Sequence, residues 1–272
     1  MEAYKNILVF INPTTKNLIV DYAAAIAEKF GACLIGIIPF HIVSQFKADS
    51  LMCKVKRYKF TPIDNIRGNE NAITMMERRF TKLLHKFDII AELHFAYNNN
   101  TLNHRTSSDL LIIEYPFCKR FSCKYTPEQF ILETSGPVLI IPPGGKLTSF
   151  KKIIIAWNGS LQVRRAILHA MPFIRQAESI VILTVDAERH YNQIPGAEIK
   201  YTLMRHGFNV EIKHVPSGKN TVAQTLIQET QYLENYLLIT GVCGNTSNKR
   251  AIMEGVTCEL LEKNIMPLLV SF

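Results

Sequence analysis

The stretch "KKIIIAWNGS" (151–160) decides the fold, because the chain contains it twice. "KNILVFINPT" (5–14) repeats its plan: a basic start, a five-residue apolar run, an Asn and a turn residue. The offset is 146 residues, and the same offset aligns "CLIGII" (33–38) with "SIVILT" (179–184). Further on, "DLLIIEY" (109–115) matches "YLLITGV" (236–242), and "GPVLIIP" (136–142) matches "MPLLVSF" (266–272). Four β-rich runs recurring in one order make the chain a duplication. The domains are expected at 1–145 and 146–272. The Pro- and Gly-rich "PPGGKLTSFKK" (142–152) between them has the composition of a boundary.

The repeated runs are short, continuous and apolar, as strands buried on both faces are. Helical patterns separate them. "LIVDYAAAIAEKFG" (18–31) has apolar residues at helical spacing and a closing Gly. "LQVRRAILHAMPFIRQA" (161–177) follows the N-cap candidate Ser160, and 220–235 and 255–265 complete the second half. Strands alternating with helices predict parallel sheets in an α/β fold. Ligands in such sheets sit beyond the carboxyl ends of the strands, so the ends of the first and fourth strands of the second half are the places to look.

The chain has 272 residues, 47% hydrophobic and 20% charged, the composition of a globular protein. No window approaches eighteen apolar residues, so no membrane span is expected, and the N-terminus lacks the pattern of a secretory leader. A cytoplasmic location is the expectation. The six cysteines read as reduced structural thiols, since several lie in apolar runs and Cys118 and Cys123 lack zinc spacing. The net charge of +8 is spread over both halves, which argues against a dedicated nucleic-acid face. The halves are unequal: residues 41–87 form an insertion in the first, expected to be a solvated, partly helical excursion. Its basic part, "KADSLMCKVKRYKF" (47–60), could alternatively dock a partner.

The second half also holds "LLITGVCGNTSNKRAIMEGVTCELLEK" (237–263): an apolar run, two spaced glycines, a polar loop and a helical segment opening at Gly255. With "IIIAWNGSLQVRRAI" and "IPGAEIKYTLMRHGFNVEI", this resembles the universal stress protein family in its tandem form. The resemblance implies two Rossmann-like domains of the adenine nucleotide alpha hydrolase type, paired through their last strands as an intramolecular pseudo-dimer. It also implies ATP or AMP binding, with Mg, in some members. The family's motif is G-x2-G-x9-G-[ST] after the fourth strand, with an acidic residue ending the first strand. Glycines admit phosphate oxygens to backbone N–H groups, and a helix N-terminus adds partial positive charge. Here Gly241 and Gly244 match, Glu254 stands at the third glycine with Gly255 behind it, and Asn158 replaces the acid. The candidate cofactor-binding set is Asn158, Thr240, Gly241, Gly244, Glu254, Gly255, Val256 and Thr257. Competing readings are plain: strand-ending turns with positive φ for the glycines, a helix-capping turn for Asn158, a first-turn hydroxyl for Thr257.

In the first half the glycine positions fall on Glu114 and Phe117, and Asn12 replaces the acid, so that half is expected not to bind nucleotide. No Walker A, G-x-S-x-G or H-E-x-x-H pattern occurs, no histidines have metal-ligand spacing, and no base–nucleophile pair stands out. His169 reads as partly buried structure and Trp157 as core packing against the facing half. The expectation is a stress-response or regulatory binding module, not an enzyme, with weak or lost adenine-nucleotide binding in the second half. A working ATP-binding member with slow hydrolysis or autophosphorylation is one alternative. A nucleotide-independent interaction module using 47–60 is the other. A homodimer is also compatible with the sequence.

Overall fold

The computed structural model describes residues 3–11, 18–39, 58–60, 78, 80–82, 85–96, 108–114, 134, 136–144, 149–186, 194–242, 255–263 and 265–271. The chain forms two compact units. One gathers Ala3–Val138 with Pro143–Leu147, the other Leu139–Pro142 with Thr148–Phe272.

The N-terminal unit carries β1 (Asn6–Phe10), α1 (Leu18–Phe30), β2 (Cys33–Pro39), β3 (Tyr58–Phe60), β4 (Ala91–Ala96) and β5 (Leu110–Glu114). Their order is β3-β4-β2-β1-β5. The pairings among them are parallel, with Ile7 opposite Leu34 on one side and Leu110 on the other. Ile7, Leu8, Leu110 and Leu111 are wholly buried, as two-sided burial of a parallel strand requires. Helix α1 buries Ile19, Val20, Ala23, Ala24 and Ala27, the helical stripe read from the sequence. The Asp109 carboxylate accepts from the backbone N–H groups of Lys5 and Asn6 at 2.7 and 2.9 Å, which fixes the start of β1 beside β5.

The insertion 41–87 differs from the expected excursion in one respect. Tyr58–Phe60 is a strand, paired in parallel with β4 (Tyr58 opposite Ala91). An edge strand exposes unpaired N–H and C=O groups, and a short added strand covers those of β4. Phe80 from the same insertion is buried, and its ring would lie 2.9 Å from a Cβ placed on Gly36 of β2. The helical part of the expectation survives in the described residues between 78 and 86. Most of the basic segment 47–60 lies outside the described residues.

The C-terminal unit begins with β6 (Val138–Ile141), whose Leu139–Ile141 fall in it. Then follow β7 (Lys152–Ala156), α2 (Leu161–His169), α3 (Met171–Ile174), β8 (Ser179–Val185), α4 (Ala197–Arg205) and β9 (Val210–Val215). The unit closes with α5 (Val222–Thr230), β10 (Tyr236–Gly241), α6 (Val256–Lys263) and β11 (Leu268–Ser271). The strand order is β6-β11-β10-β7-β8-β9, and β11 through β9 are parallel. Local signals explain the helices. Ser160 caps α2 by accepting from the Val163 N–H at 3.3 Å. Thr221 and Gln224 form a reciprocal capping box at the start of α5. Pro172 sits in the first turn of α3, where its missing N–H costs nothing.

Candidate functional site

Strand β7 is flanked by β8 and by β10, and the chain leaves it toward β8 but returns on the other side at β10. This reversal makes the carboxyl ends of β7 and β10 the topological switch point, the place where open α/β sheets bind ligands. Asn158 and Gly241, assigned to one site from sequence, lie at these two adjacent strand ends.

At the β7 end, Trp157 extends the β7–β8 pairing through its N–H to Leu183 O at 2.9 Å. Asn158 Oδ1 accepts from the Ser160 N–H at 3.1 Å, and Gly159 between them has φ 75°. Asn158 is thus a turn-former that delivers Ser160 to the helix cap, with its side chain exposed. This is the helix-capping alternative read from the sequence. An amide that accepts from its own turn leaves its NH2 group, a donor, as the part able to meet a ligand. Trp157 is buried, but against its own half. A Cβ on Gly196, at the N-cap of α4, would lie 3.4 Å from the Trp157 ring and 2.9 Å from Ile182. Arg164 covers the Trp157 ring at 5.2 Å and pairs with Glu198 at 3.1 Å.

At the β10 end, Gly241 has a role the sequence did not suggest. Its φ is not in the left-handed region, so it is not a turn glycine. A Cβ there would lie 2.5 Å from the Gln162 carbonyl carbon and closer still to the Val163 nitrogen. Gly241 is bare because the first turn of α2 packs on it backbone to backbone. Thr240 is buried beside it in β10. Thr257, in the first turn of α6, donates its hydroxyl to Gly241 O at 3.4 Å and is itself buried. Gly255 is exposed, has φ 136°, and its carbonyl accepts the Glu259 N–H at 3.1 Å as the first helical bond of α6. Val256 follows as a half-buried first residue. The start of α2 and the start of α6 therefore both border the end of β10, each offering N-terminal N–H groups. Gly244 and Glu254 lie outside the described residues.

Three further contacts were not legible beforehand. Asp186, at the end of β8 with φ 48°, accepts from the Ser217 N–H at 2.8 Å, and its hydrogen bonds with Ser217 hold its carboxyl below the usual range. His169 Nδ1 lies 2.7 Å from Ser271 Oγ, joining the last turn of α2 to the end of β11. Burial, and then the nearby Arg165 charge, lower the His169 pKa, so its neutral form is favoured. Thr221 Oγ1 donates to the Glu259 carboxylate at 2.8 Å, joining α5 to α6. In the N-terminal unit, Glu114 ends β5 where Gly241 ends β10. Its carboxyl is half-buried and pushed up by desolvation. Asn12 and Phe117 lie outside the described residues. Among the described residues no cluster of His, Cys, Asp and Glu could hold a metal, and no helix is long and apolar enough to cross a membrane.

No protein-family model and no curated protein matches the sequence. Solved structures do match the fold. A universal stress protein from Archaeoglobus fulgidus DSM 4304 superposes with a TM-score of 0.67 at 12% identity, covering 98% of this chain and 95% of that one. A functionally unknown protein from Pseudomonas aeruginosa PAO1 superposes at 0.60 with 13% identity, covering 99% and 93%. The cytoplasmic domain of a prokaryotic cation chloride cotransporter superposes at 0.55 with 14% identity, covering 98% and 94%. The chain is a tandem α/β protein with the Rossmann-like fold of a universal stress protein. That likeness runs through both halves, not only the half that carries the glycine motif.

Proposed function

We propose that the chain is a tandem universal stress protein that acts as a regulatory binding module, with a weak adenine-nucleotide site in residues 146–272. The observation that carries this reading is the meeting of the α2 and α6 N-termini at the end of β10, beside the exposed Asn158 of the adjacent strand. Backbone N–H groups and two helix dipoles at a switch point favour a phosphate-bearing ligand. Affinity is low in this reading for two reasons. Glu254 stands where the motif has glycine, and Asn158 presents an amide donor where a carboxylate would accept from a nucleoside hydroxyl. ATP or AMP would be the ligand, with Mg bridging phosphate oxygens and lessening repulsion from Glu254. Half one keeps the fold without the site, because Glu114 puts a side chain at the strand end.

A second reading is a nucleotide-independent interaction module. It is favoured by the packing role of Gly241 and the internal bond of Thr257, both of which give these residues a purpose without a ligand. Titration calorimetry of the full chain with ATP and AMP, with and without magnesium, separates the two. Saturable binding of one nucleotide per chain supports the first. No heat at millimolar nucleotide, with no nucleotide retained through purification, overturns it.

A further inference from the structure

Basic residues are spread along the sequence, but the fold sorts them. In the C-terminal unit, right-handed crossovers from β7 to β8 to β9 put α2 and α4 on one face of the sheet. The reversed course through β10 and β11 puts α5 and α6 on the other. Helices α2 and α4 carry Arg164, Arg165, Lys200 and Arg205 against the single acid Glu198. Helices α5 and α6 carry Glu229, Glu259 and Glu262 against Lys263. These four helices are polarised across the sheet, although Lys213 of β9 pairs with Glu229 on the acidic side.

The basic layer also holds four of the eight large apolar side chains that are exposed among the described residues. Leu161 and Leu168 of α2 are 69% and 64% exposed, and Tyr201 and Met204 of α4 are 60% and 48% exposed. On α2 the helical spacing puts positions 161, 164, 165 and 168 on one outward stripe, opposite the buried Val163, Ala166 and Ile167. The Arg164–Glu198 pair bridges α2 to α4, and Tyr201 lies one turn beyond Glu198, so the two outward stripes adjoin. Helices α5 and α6 themselves expose no large apolar side chain, although Tyr232 and Ile265, just beyond their ends, are exposed. Scattered exposed apolar residues are ordinary, and Ile90, Ile194, Tyr232 and Ile265 are exposed outside these helices; four on two adjoining helical stripes make a patch.

We propose that the α2–α4 face docks on an anionic phospholipid bilayer, lying in the plane of its headgroups. The cations meet lipid phosphates while Leu161, Leu168, Tyr201 and Met204 enter the boundary of the acyl region. A lipid interface satisfies both without a matched pocket, which suits a layer of two side-by-side helices. The acidic layer faces away from the membrane in this pose, so the unit's own field orients it on approach.

The test is flotation of the full chain with vesicles of phosphatidylcholine alone and of phosphatidylcholine mixed with phosphatidylglycerol. Flotation with the mixed vesicles only, weakening as salt rises, is expected. Each cation near an anionic surface is worth roughly fivefold in affinity. The pair Lys200→Ala and Arg205→Ala should therefore weaken binding at least about tenfold. Leu168→Ser with Tyr201→Ser should do so as well, with unchanged melting temperatures showing that both variants fold. No flotation overturns the proposal. So does flotation that survives the apolar substitutions, which is charge attraction alone. Salt-sensitive self-association without vesicles, or tighter binding to polyglutamate than to vesicles, assigns the face to a protein partner and overturns it too.

Discussion

Gly241 and Gln162 touch through their backbones: a Cβ on the glycine would lie 2.5 Å from the Gln162 carbonyl carbon. That contact seats the first turn of α2 on the end of β10 and sets the spacing of the candidate site. Backbone cannot retreat as a flexible side chain can. Gly241→Ala should therefore destabilise by about 1–3 kcal/mol, the usual cost of overpacking. The melting temperature of the chain, measured without ligand, should fall by several degrees. An unchanged value would show that the two segments part easily.

Gly255 is demanding for the opposite reason. Nothing lies near its missing Cβ, yet its φ of 136° is one that side-chain-bearing residues rarely adopt. Gly255→Ala should cost about 1–3 kcal/mol through backbone strain alone. Chemical denaturation should show a lower midpoint with an unchanged slope. An unaltered midpoint would mean that the start of α6 rearranges freely.

The His169–Ser271 contact predicts a pH dependence. Burial lowers the His169 pKa in the folded state, so the unfolded state binds protons first as pH falls. Stability is then complete above the ordinary histidine value of 6.5 and declines below it, levelling off once the folded pKa is passed. His169→Gln should remove that part of the decline in melting temperature. An identical profile in the variant would show that His169 does not titrate in this window.

Expressing 147–272 alone takes Leu139–Ile141 away from β11, whose Leu268, Leu269 and Val270 are buried in the full chain. An apolar edge strand is an association site. The fragment should appear as a homodimer or an insoluble product. A soluble monomer by light scattering would show that β11 needs no neighbour besides β10.

Most of the fold was legible because the repeat carries its own check: two readings of each strand, in one order. The runs that begin at 5, 33, 151, 179 and 236 each hold a strand, since parallel strands buried on both faces must be apolar. Tyr58–Phe60 was missed because three residues with a central Lys give no periodicity, and only pairing with β4 makes them a strand. At the site, residue types located the switch point correctly, but they could not say what each residue touches. The purpose of Gly241 depends on how close α2 comes, a tertiary distance with no local signature. His169 and Ser271 are 102 positions apart, so no spacing rule joins them. Asn158 was the easier case, because N-G-S spells a capping turn whatever surrounds it.

We propose that the second half holds a nucleotide site weakened mainly by Glu254. A like-charge pair at about 4 Å costs roughly 1 kcal/mol in water and about 4 at an effective dielectric of 20. Those costs correspond to roughly fivefold and several-hundredfold in affinity. The most direct measurement is calorimetric titration of ATP into the wild-type chain and Glu254→Gly, with Asn158→Asp added in a third protein. Binding at least about tenfold tighter in Glu254→Gly, and tighter again with Asn158→Asp, is the predicted result. Affinity left unchanged by Glu254→Gly would show that the loop is no phosphate cradle and leave Gly241 as a packing residue only.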